Sequence, residues 1–143
     1  MRRVVAFLAA VVATYITAVI AYTQLNLGAL IALGMPVDAG VRLEATLHDL
    51  LGMTPIYLPV VVVALLLGFA VSTVVIRFVP QLRRLGFIVG GFVALMTVEF
   101  ALGLLMGTHP LAVTRTTVGW LSQCIAGAIG GYVFTLVQPA PQR

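Results

Sequence analysis

Four long apolar segments restrict what this chain can fold into more than any other feature of its sequence. They cover residues 4–22, 56–76, 85–107 and 116–137. Each holds about 20 predominantly apolar residues, and a helix of that length, at about 1.5 Å per residue, crosses a hydrocarbon core of about 30 Å. The sequence therefore predicts an all-α integral membrane protein, a four-transmembrane-helix bundle formed by a single domain over residues 1–143.

The composition indicates the same class. Hydrophobic residues make up 62% of the chain and charged residues only 8%, whereas about a quarter of the residues in a soluble domain are charged. The net charge of +4 comes from arginines near the segment ends, with no lysine and no basic stripe. Nucleic acid is therefore not expected as a partner. Membrane lipid is the expected partner, and no cofactor is predicted.

The first segment has an alternative interpretation as a cleaved signal peptide. Arg2 and Arg3 precede the apolar stretch, which ends in small residues near Ala21, as secretory signals do. The stretch is longer than the usual apolar core of a signal peptide. We therefore expect it to remain as a membrane helix.

The arginines predict an orientation, because positively charged residues beside membrane spans are retained in the cytoplasm. Six arginines fall on one predicted side of the membrane and two on the other. The first group is Arg2, Arg3, Arg77, Arg83, Arg84 and Arg143, and the second is Arg42 and Arg115. Both termini are therefore predicted to be cytoplasmic, and the expected location is a bacterial inner membrane.

Residues 23–53, between the first two spans, are predicted to lie outside and to carry a short amphipathic helix over residues 36–52. Asp38 is suited to start this helix as a capping carboxylate, and Gly52 is suited to end it. Its apolar stripe consists of Leu43, Leu47, Leu50 and Leu51. Two placements remain open, because the leucines can face the acyl chains at the outer interface or cover the bundle. Residues 27–33 are expected to extend the first helix rather than to re-enter the membrane.

His48, Asp49 and His109 are weak candidates for a metal or acid–base site on the predicted outer face. Such a site needs more ligands than the sequence places near them. Pairing between neighbours on one helix face explains the polar residues better. The pairs spaced i, i+4 are Glu44 with His48 and Asp38 with Arg42. No metal site is therefore predicted.

Small residues spaced four apart predict where the helices touch, because helices in a bilayer associate through close packing rather than through burial from water. The candidate contact residues are Gly86 and Gly90 in the third span and Gly119, Gly127 and Gly131 in the fourth. Packing inside one four-helix bundle explains all five. Contact between copies in a homo-oligomer, or with another subunit of a membrane complex, is the second interpretation.

Glu99 is the one acidic residue inside the predicted spans, and an ionisable residue there usually has a function. It faces away from Gly90, about 12 Å below the outer boundary at about 1.5 Å per residue. Gln123 falls at a similar depth on the fourth helix, so a hydrogen bond between Glu99 and Gln123 is expected. Arg115, at the start of the fourth span, is long enough to reach inward or to anchor the helix end.

Three interpretations of Glu99 remain open. In the first, a protonated carboxyl joins helices through Gln123 or through a threonine such as Thr17 or Thr117. In the second, Glu99 forms a charge pair with Arg115. In the third, Glu99 is an ion or proton site, which in an oligomer becomes a ring of carboxylates like those of cation-selective pores.

The sequence contains no P-loop, no GxSxG, no HExxH and no Rossmann fingerprint, so an enzyme is not favoured. We expect either an oligomeric channel or transporter for a small ion or solute, which uses Glu99, Gln123 and Arg115, or a structural or accessory subunit without activity of its own. Aromatic residues near the span ends are interpreted as interfacial anchors. They are Tyr22, Tyr57, Trp120 and Tyr132.

Overall fold

The computed structural model describes residues 1–106 and 116–138 of the chain. Its helices are α1 (Arg2–Ala32), α2 (Ala39–Gly52), α3 (Thr54–Phe78), α4 (Arg83–Met106) and α5 (Thr117–Val137), with a 3-10 turn at Pro80–Leu82. No β-strand occurs in these two stretches. α1, α3, α4 and α5 are long and apolar enough to cross a membrane. The chain is therefore an all-helical membrane protein.

α1 continues well beyond the predicted end of the first span. It includes residues 27–32 without a break and ends at Ala32. Gly34 follows with a φ of 83°, a conformation that glycine adopts readily. The 31 residues of α1 make a helix about 46 Å long at about 1.5 Å per residue. This exceeds the hydrocarbon thickness of about 30 Å, so α1 is longer than a crossing of the membrane core requires.

α5 lies between α1 and α4 and packs closely on both, whereas α3 packs on α4 and has fewer contacts with α1. Glycines bring α5 against α4. A β-carbon on Gly127 would overlap the carbonyl group of Gly91, and one on Gly131 would overlap the carbonyl group of Phe87. The two helices can approach this closely only because these positions lack side chains.

Small residues make the other two close contacts as well. On the α1 side of α5, a β-carbon at Gly130 would meet the hydroxyl of Thr14. Between α3 and α4, a β-carbon at Gly68 would lie 2.8 Å from the carbonyl oxygen of Gly90, and one at Gly90 would meet the hydroxyl of Ser72. These contacts all lie within one chain.

Phenylalanine rings fill the half of the bundle that holds the start of α1. The rings of Phe69, Phe87 and Phe134 lie 4.6 to 5.5 Å apart between centroids, and Phe7 lies 6.3 Å from Phe69. Aromatic pairs at these separations and tilts attract one another beyond simple area burial. This phenylalanine cluster makes that half of the interior dry and apolar.

α2 is attached to α1 through its polar side. Thr23 donates a hydrogen bond to Asp49 Oδ2 at 2.7 Å. Arg42 donates to Gln24 Oε1 at 2.6 Å, and Gln24 Nε2 donates to the Thr46 hydroxyl at 3.2 Å. Arg42 therefore bonds to α1, and neither expected i, i+4 pair of α2 forms an ion pair in the described part of the chain.

The leucines of α2 lie on its exposed side. Leu43, Leu47 and Leu51 are 64%, 53% and 78% exposed, while Leu50 is half-buried against the core. The helix begins at Ala39, three residues after the predicted start, and its N-cap is Asp38, whose carboxylate accepts a hydrogen bond from the backbone N–H of Val41 at 2.8 Å. Leu43, Leu47 and Leu51 therefore do not cover the bundle, because the polar side of the helix takes that position.

Candidate functional site

The candidate site is a cluster of three buried polar side chains, each from a different helix. Tyr57 of α3 donates a hydrogen bond from its hydroxyl to Gln123 Oε1 of α5 at 2.8 Å. The same hydroxyl lies 3.5 Å from Glu99 Oε1 of α4. Glu99 is 1% exposed, Gln123 0% and Tyr57 7%. The cluster therefore lies inside the helix bundle of one chain and not on its outer surface.

Gln123 also connects the cluster to α1. Its amide nitrogen donates to the backbone carbonyl of Ala18 at 3.2 Å. A carbonyl oxygen has two lone pairs, so it can accept this bond in addition to a helical one. The Gln123 side chain thus joins three helices and is held at both ends, by Ala18 through the amide nitrogen and by Tyr57 through the amide oxygen.

Tyr57 is the member of the cluster that the sequence did not indicate, and its interpretation as an interfacial anchor is wrong. It lies near the start of a span, where anchors are common, yet its ring is buried and its hydroxyl points into the bundle. α3 is apolar on all sides, so periodicity does not identify its inward face. The Tyr57 hydroxyl lies on the same helix face as the buried Val61 and Ala64. That this face points inward becomes visible only in the structure.

Tyr57 also changes how Glu99 is connected. The expected direct hydrogen bond between Glu99 and Gln123 does not form among the described residues, because the Tyr57 hydroxyl stands between the two side chains. Neither Thr17 nor Thr117 takes the place of Gln123 as a partner there. Glu99 and Gln123 nevertheless reach the same hydroxyl and share one buried site.

Glu99 has few hydrogen bonds for a buried carboxyl group. Its contact with Tyr57, at 3.5 Å, is longer than an ordinary hydrogen bond between oxygens. Its second oxygen, Oε2, is buried and has no hydrogen-bond partner within the described residues. Buried polar atoms are nearly always paired, and within the described residues the hydroxyl of Thr14 is the other buried side-chain oxygen without a partner.

Of the other predicted candidates, Asp49 and His48 do not join this cluster. Arg115 and His109 lie outside the described residues. Asp49 is engaged by Thr23 at the junction of α1 and α2, and His48 is exposed on α2. In the ranges 1–106 and 116–138, no three His, Cys, Asp or Glu side chains come together in a way that could hold a metal ion.

The predicted contact glycines fall on several surfaces. Gly127 and Gly131 face α4. Gly86 and Gly90 face α3, where a β-carbon at Gly86 would lie 2.8 Å from Ile76. Gly119 is buried near the start of α5. Four of these five glycines therefore contact another helix of the same chain.

Comparison of the chain with protein-family models, with curated proteins and with solved structures finds no match.

Proposed function

We propose that this protein is an oligomeric channel or transporter for a small ion or solute, and that Glu99 is the group that binds what passes. The observation that carries this proposal is the buried, unpartnered Oε2 of Glu99. A carboxyl group that only joins helices would use both oxygens, because each unpaired buried oxygen costs about 1 to 3 kcal/mol. An ion-binding group needs an open oxygen.

Gln123 and Tyr57 are the neutral members of the proposed site. They supply an amide and a hydroxyl beside the carboxyl group without adding a second charge in a low-dielectric interior, where charges are costly. Arg115 is proposed to lie on the same path at the membrane entrance, as its place at the start of the fourth span predicts.

The proposed path requires movement on the other side of the site. The phenylalanine cluster closes that half of the bundle, and charged solutes do not cross such an apolar layer. Among the four long helices, α1 and α3 share fewer contacts than the other neighbouring pairs, and they meet beside the site, where the rings of Tyr15 and Tyr57 lie 6.3 Å apart. We propose that the bundle opens at this α1–α3 boundary.

Flux across proteoliposomes tests the proposal. We expect the wild-type protein to conduct a small ion or solute and Glu99→Gln, a nearly isosteric substitution, to lower the rate at least tenfold. Thr97→Val is the matched control, since Thr97 lies on the same helix, is exposed, and bonds only to its own helix at Val93. Equal flux in the wild type and Glu99→Gln would remove Glu99 from the mechanism. The mass of the complex in mild detergent tests the oligomer.

A structural or accessory role is the second candidate, and the hydrogen bonds of Gln123 favour it. This one side chain joins α1, α3 and α5, which suits a residue that holds helices together. Under this alternative the vesicles show no flux, and Gln123→Leu lowers stability while Glu99→Gln does not. Flux and stability measurements on Glu99→Gln and Gln123→Leu therefore separate the two functions.

We propose further that both termini are cytoplasmic, in a bacterial inner membrane, and that α2 lies at the outer interface. The exposed Leu43, Leu47 and Leu51 then enter the acyl region, while Glu44 and His48 face water. A spin label at Leu47 is expected to be accessible to oxygen dissolved in the bilayer, and one at Glu44 to a water-soluble nickel chelate. The same collision pattern at both positions would contradict this placement.

The orientation has its own test. In a Cys124→Ala background, a cysteine at Glu44 is expected to react with an impermeant thiol reagent added outside the cell. A cysteine at Gln81, in the connection between α3 and α4, is expected to react only after the membrane is opened. The reverse pattern would overturn the argument from the arginines.

A further inference from the structure

The side chain of Gln123 can take only one orientation in this cluster. Its amide nitrogen faces the carbonyl oxygen of Ala18, which can only accept a hydrogen bond. Turning the amide around would place two carbonyl oxygens against each other. Oε1 must therefore face Tyr57, as the 2.8 Å hydrogen bond between them requires.

This orientation fixes the proton of Tyr57. A phenol has one hydroxyl proton, and at 2.8 Å the Tyr57 hydroxyl gives it to Gln123 Oε1. The Tyr57 oxygen can then still accept a hydrogen bond, but it can no longer donate one. Glu99 Oε1 lies 3.5 Å from that oxygen. With the tyrosine proton in use, these two oxygens can share a hydrogen bond only if Glu99 carries a proton of its own.

We infer that the ligand of this site is a proton, bound to Glu99. The inference rests on the proposed function, whose substrate it narrows to the hydrogen ion. The protonated carboxyl donates to Tyr57, Tyr57 donates to Gln123, and Gln123 donates to the carbonyl of Ala18. Every donor in this chain has an acceptor, and the four groups belong to the four long helices.

The donor set does not suit a metal cation. Hard cations take about six or more oxygen ligands, and here the oxygens of Tyr57 and Gln123 are already hydrogen-bonded to each other. The carboxyl group of Glu99 is the one acidic side chain in the cluster. The other titratable groups beside it in the described structure are the thiol of Cys124 and the phenols of Tyr57 and Tyr15. One proton neutralises this carboxylate without further ligands.

Release of the proton has a structural consequence. The carboxyl oxygen loses one proton to a water molecule, which leaves as hydronium, and Glu99 keeps one negative charge. A carboxylate accepts hydrogen bonds more strongly than an amide oxygen does. The Tyr57 proton therefore turns from Gln123 to Glu99, and Gln123 Oε1 is left buried without a donor. Deprotonation on α4 thus weakens the bond between α3 and α5, beside the boundary proposed to open.

Infrared difference spectroscopy of the protein in lipid nanodiscs tests the proton assignment. We expect the wild type at neutral pH to show the carbonyl stretching band of a protonated carboxyl group, and Glu99→Gln to lose it. Tyr57→Phe removes the acceptor, so the band is expected to move to higher frequency. Tyr132→Phe, an exposed tyrosine on α5, is expected to leave it in place. Absence of the band in the folded wild-type protein at neutral pH would overturn the inference.

The transport measurement distinguishes failure of this inference from failure of the proposed function. A proton flux that falls at least tenfold in Glu99→Gln, together with the infrared band, supports both. The band and its shift without flux of any kind would leave the proton on Glu99 and reject the transport role. Flux of Na⁺ or K⁺ that depends on Glu99, without the band, would keep transport and reject the proton.

Discussion

Gly91 on α4 and Gly127 on α5 approach each other so closely that a β-carbon on either residue would overlap the carbonyl group of the other. The hydrogen that replaces the β-carbon at each glycine points toward that carbonyl oxygen, as in the Cα–H···O contacts that join helices. This reciprocal contact sets the separation of α4 and α5. It thereby sets how closely Glu99 and Gln123 can approach Tyr57.

The first prediction concerns this contact. Gly91→Ala and Gly127→Ala are each expected to lower the free energy of unfolding by about 1 to 3 kcal/mol, because the added methyl group forces the backbones apart. Unfolding in mixed detergent micelles measures the change. Gly28→Ala is the matched control, since nothing lies within 4 Å of a β-carbon there, and it is expected to be neutral or stabilising by up to about 1 kcal/mol. A loss of stability at Gly28 equal to that at Gly91 would contradict the packing argument.

The second prediction concerns the hydroxyl of Tyr57. Tyr57→Phe keeps the ring and removes the donor, so Gln123 Oε1 is left buried without a partner. The expected cost is about 1 to 2 kcal/mol of unfolding free energy, read from the same micelle assay. Tyr132→Phe removes a hydroxyl from an exposed ring and is expected to change stability by less than about 0.5 kcal/mol. Equal effects of the two substitutions would show that the cluster hydrogen bond contributes nothing.

The third prediction compares two phenylalanines. Phe134→Ala removes a buried ring that touches both Phe69 and Phe87, and we expect a loss of about 3 to 5 kcal/mol because a cavity remains. Phe100→Ala removes a ring that is 61% exposed and is expected to cost much less. Thermal unfolding in one detergent measures both. A larger loss at Phe100 would mean that its ring is covered by a partner.

The fourth prediction concerns the attachment of α2. Asp49→Ala removes the acceptor of the Thr23 hydrogen bond, so the amides of α2 are expected to exchange faster with deuterium because the helix detaches more often. Glu44→Ala, an exposed acidic residue on the same helix, is expected to leave the exchange unchanged. Mass spectrometry of the peptides covering residues 39–52 measures the difference. Because alanine favours the helix more than aspartate does, a propensity effect alone would slow exchange, and unchanged or slower exchange in Asp49→Ala would contradict the role of the contact.

The glycine contacts between helices could be predicted only in part from the sequence. Four-residue spacing identified Gly127 and Gly131 as contact residues, but the spacing does not state which helix they contact. Gly91 and Gly130, which make two of the closest contacts, were not on a predicted contact stripe. Their partners depend on the order of the helices around α5, and the periodicity of a single segment does not determine that order.

The sequence also predicted α2 only in part. Its capping residue Asp38 and its last residue Gly52 follow from local residue types, yet its start was predicted three residues too early and two placements of its leucines were open. In the structure the polar side chains Arg42 and Asp49 bond to α1, and Leu43, Leu47 and Leu51 are exposed. This attachment depends on Thr23 and Gln24, which belong to α1 and not to α2.

The sequence by itself determined that this is a helical membrane protein with four long apolar helices. In a bilayer every backbone polar group must be satisfied within the structure, so an apolar stretch of about 20 residues forms a helix whatever its neighbours are. Only the tertiary structure decided that Tyr57 stands between Glu99 and Gln123. Helices in lipid associate through close packing and a few polar contacts, so the partner of a buried carboxyl group depends on which helices meet and at what depth.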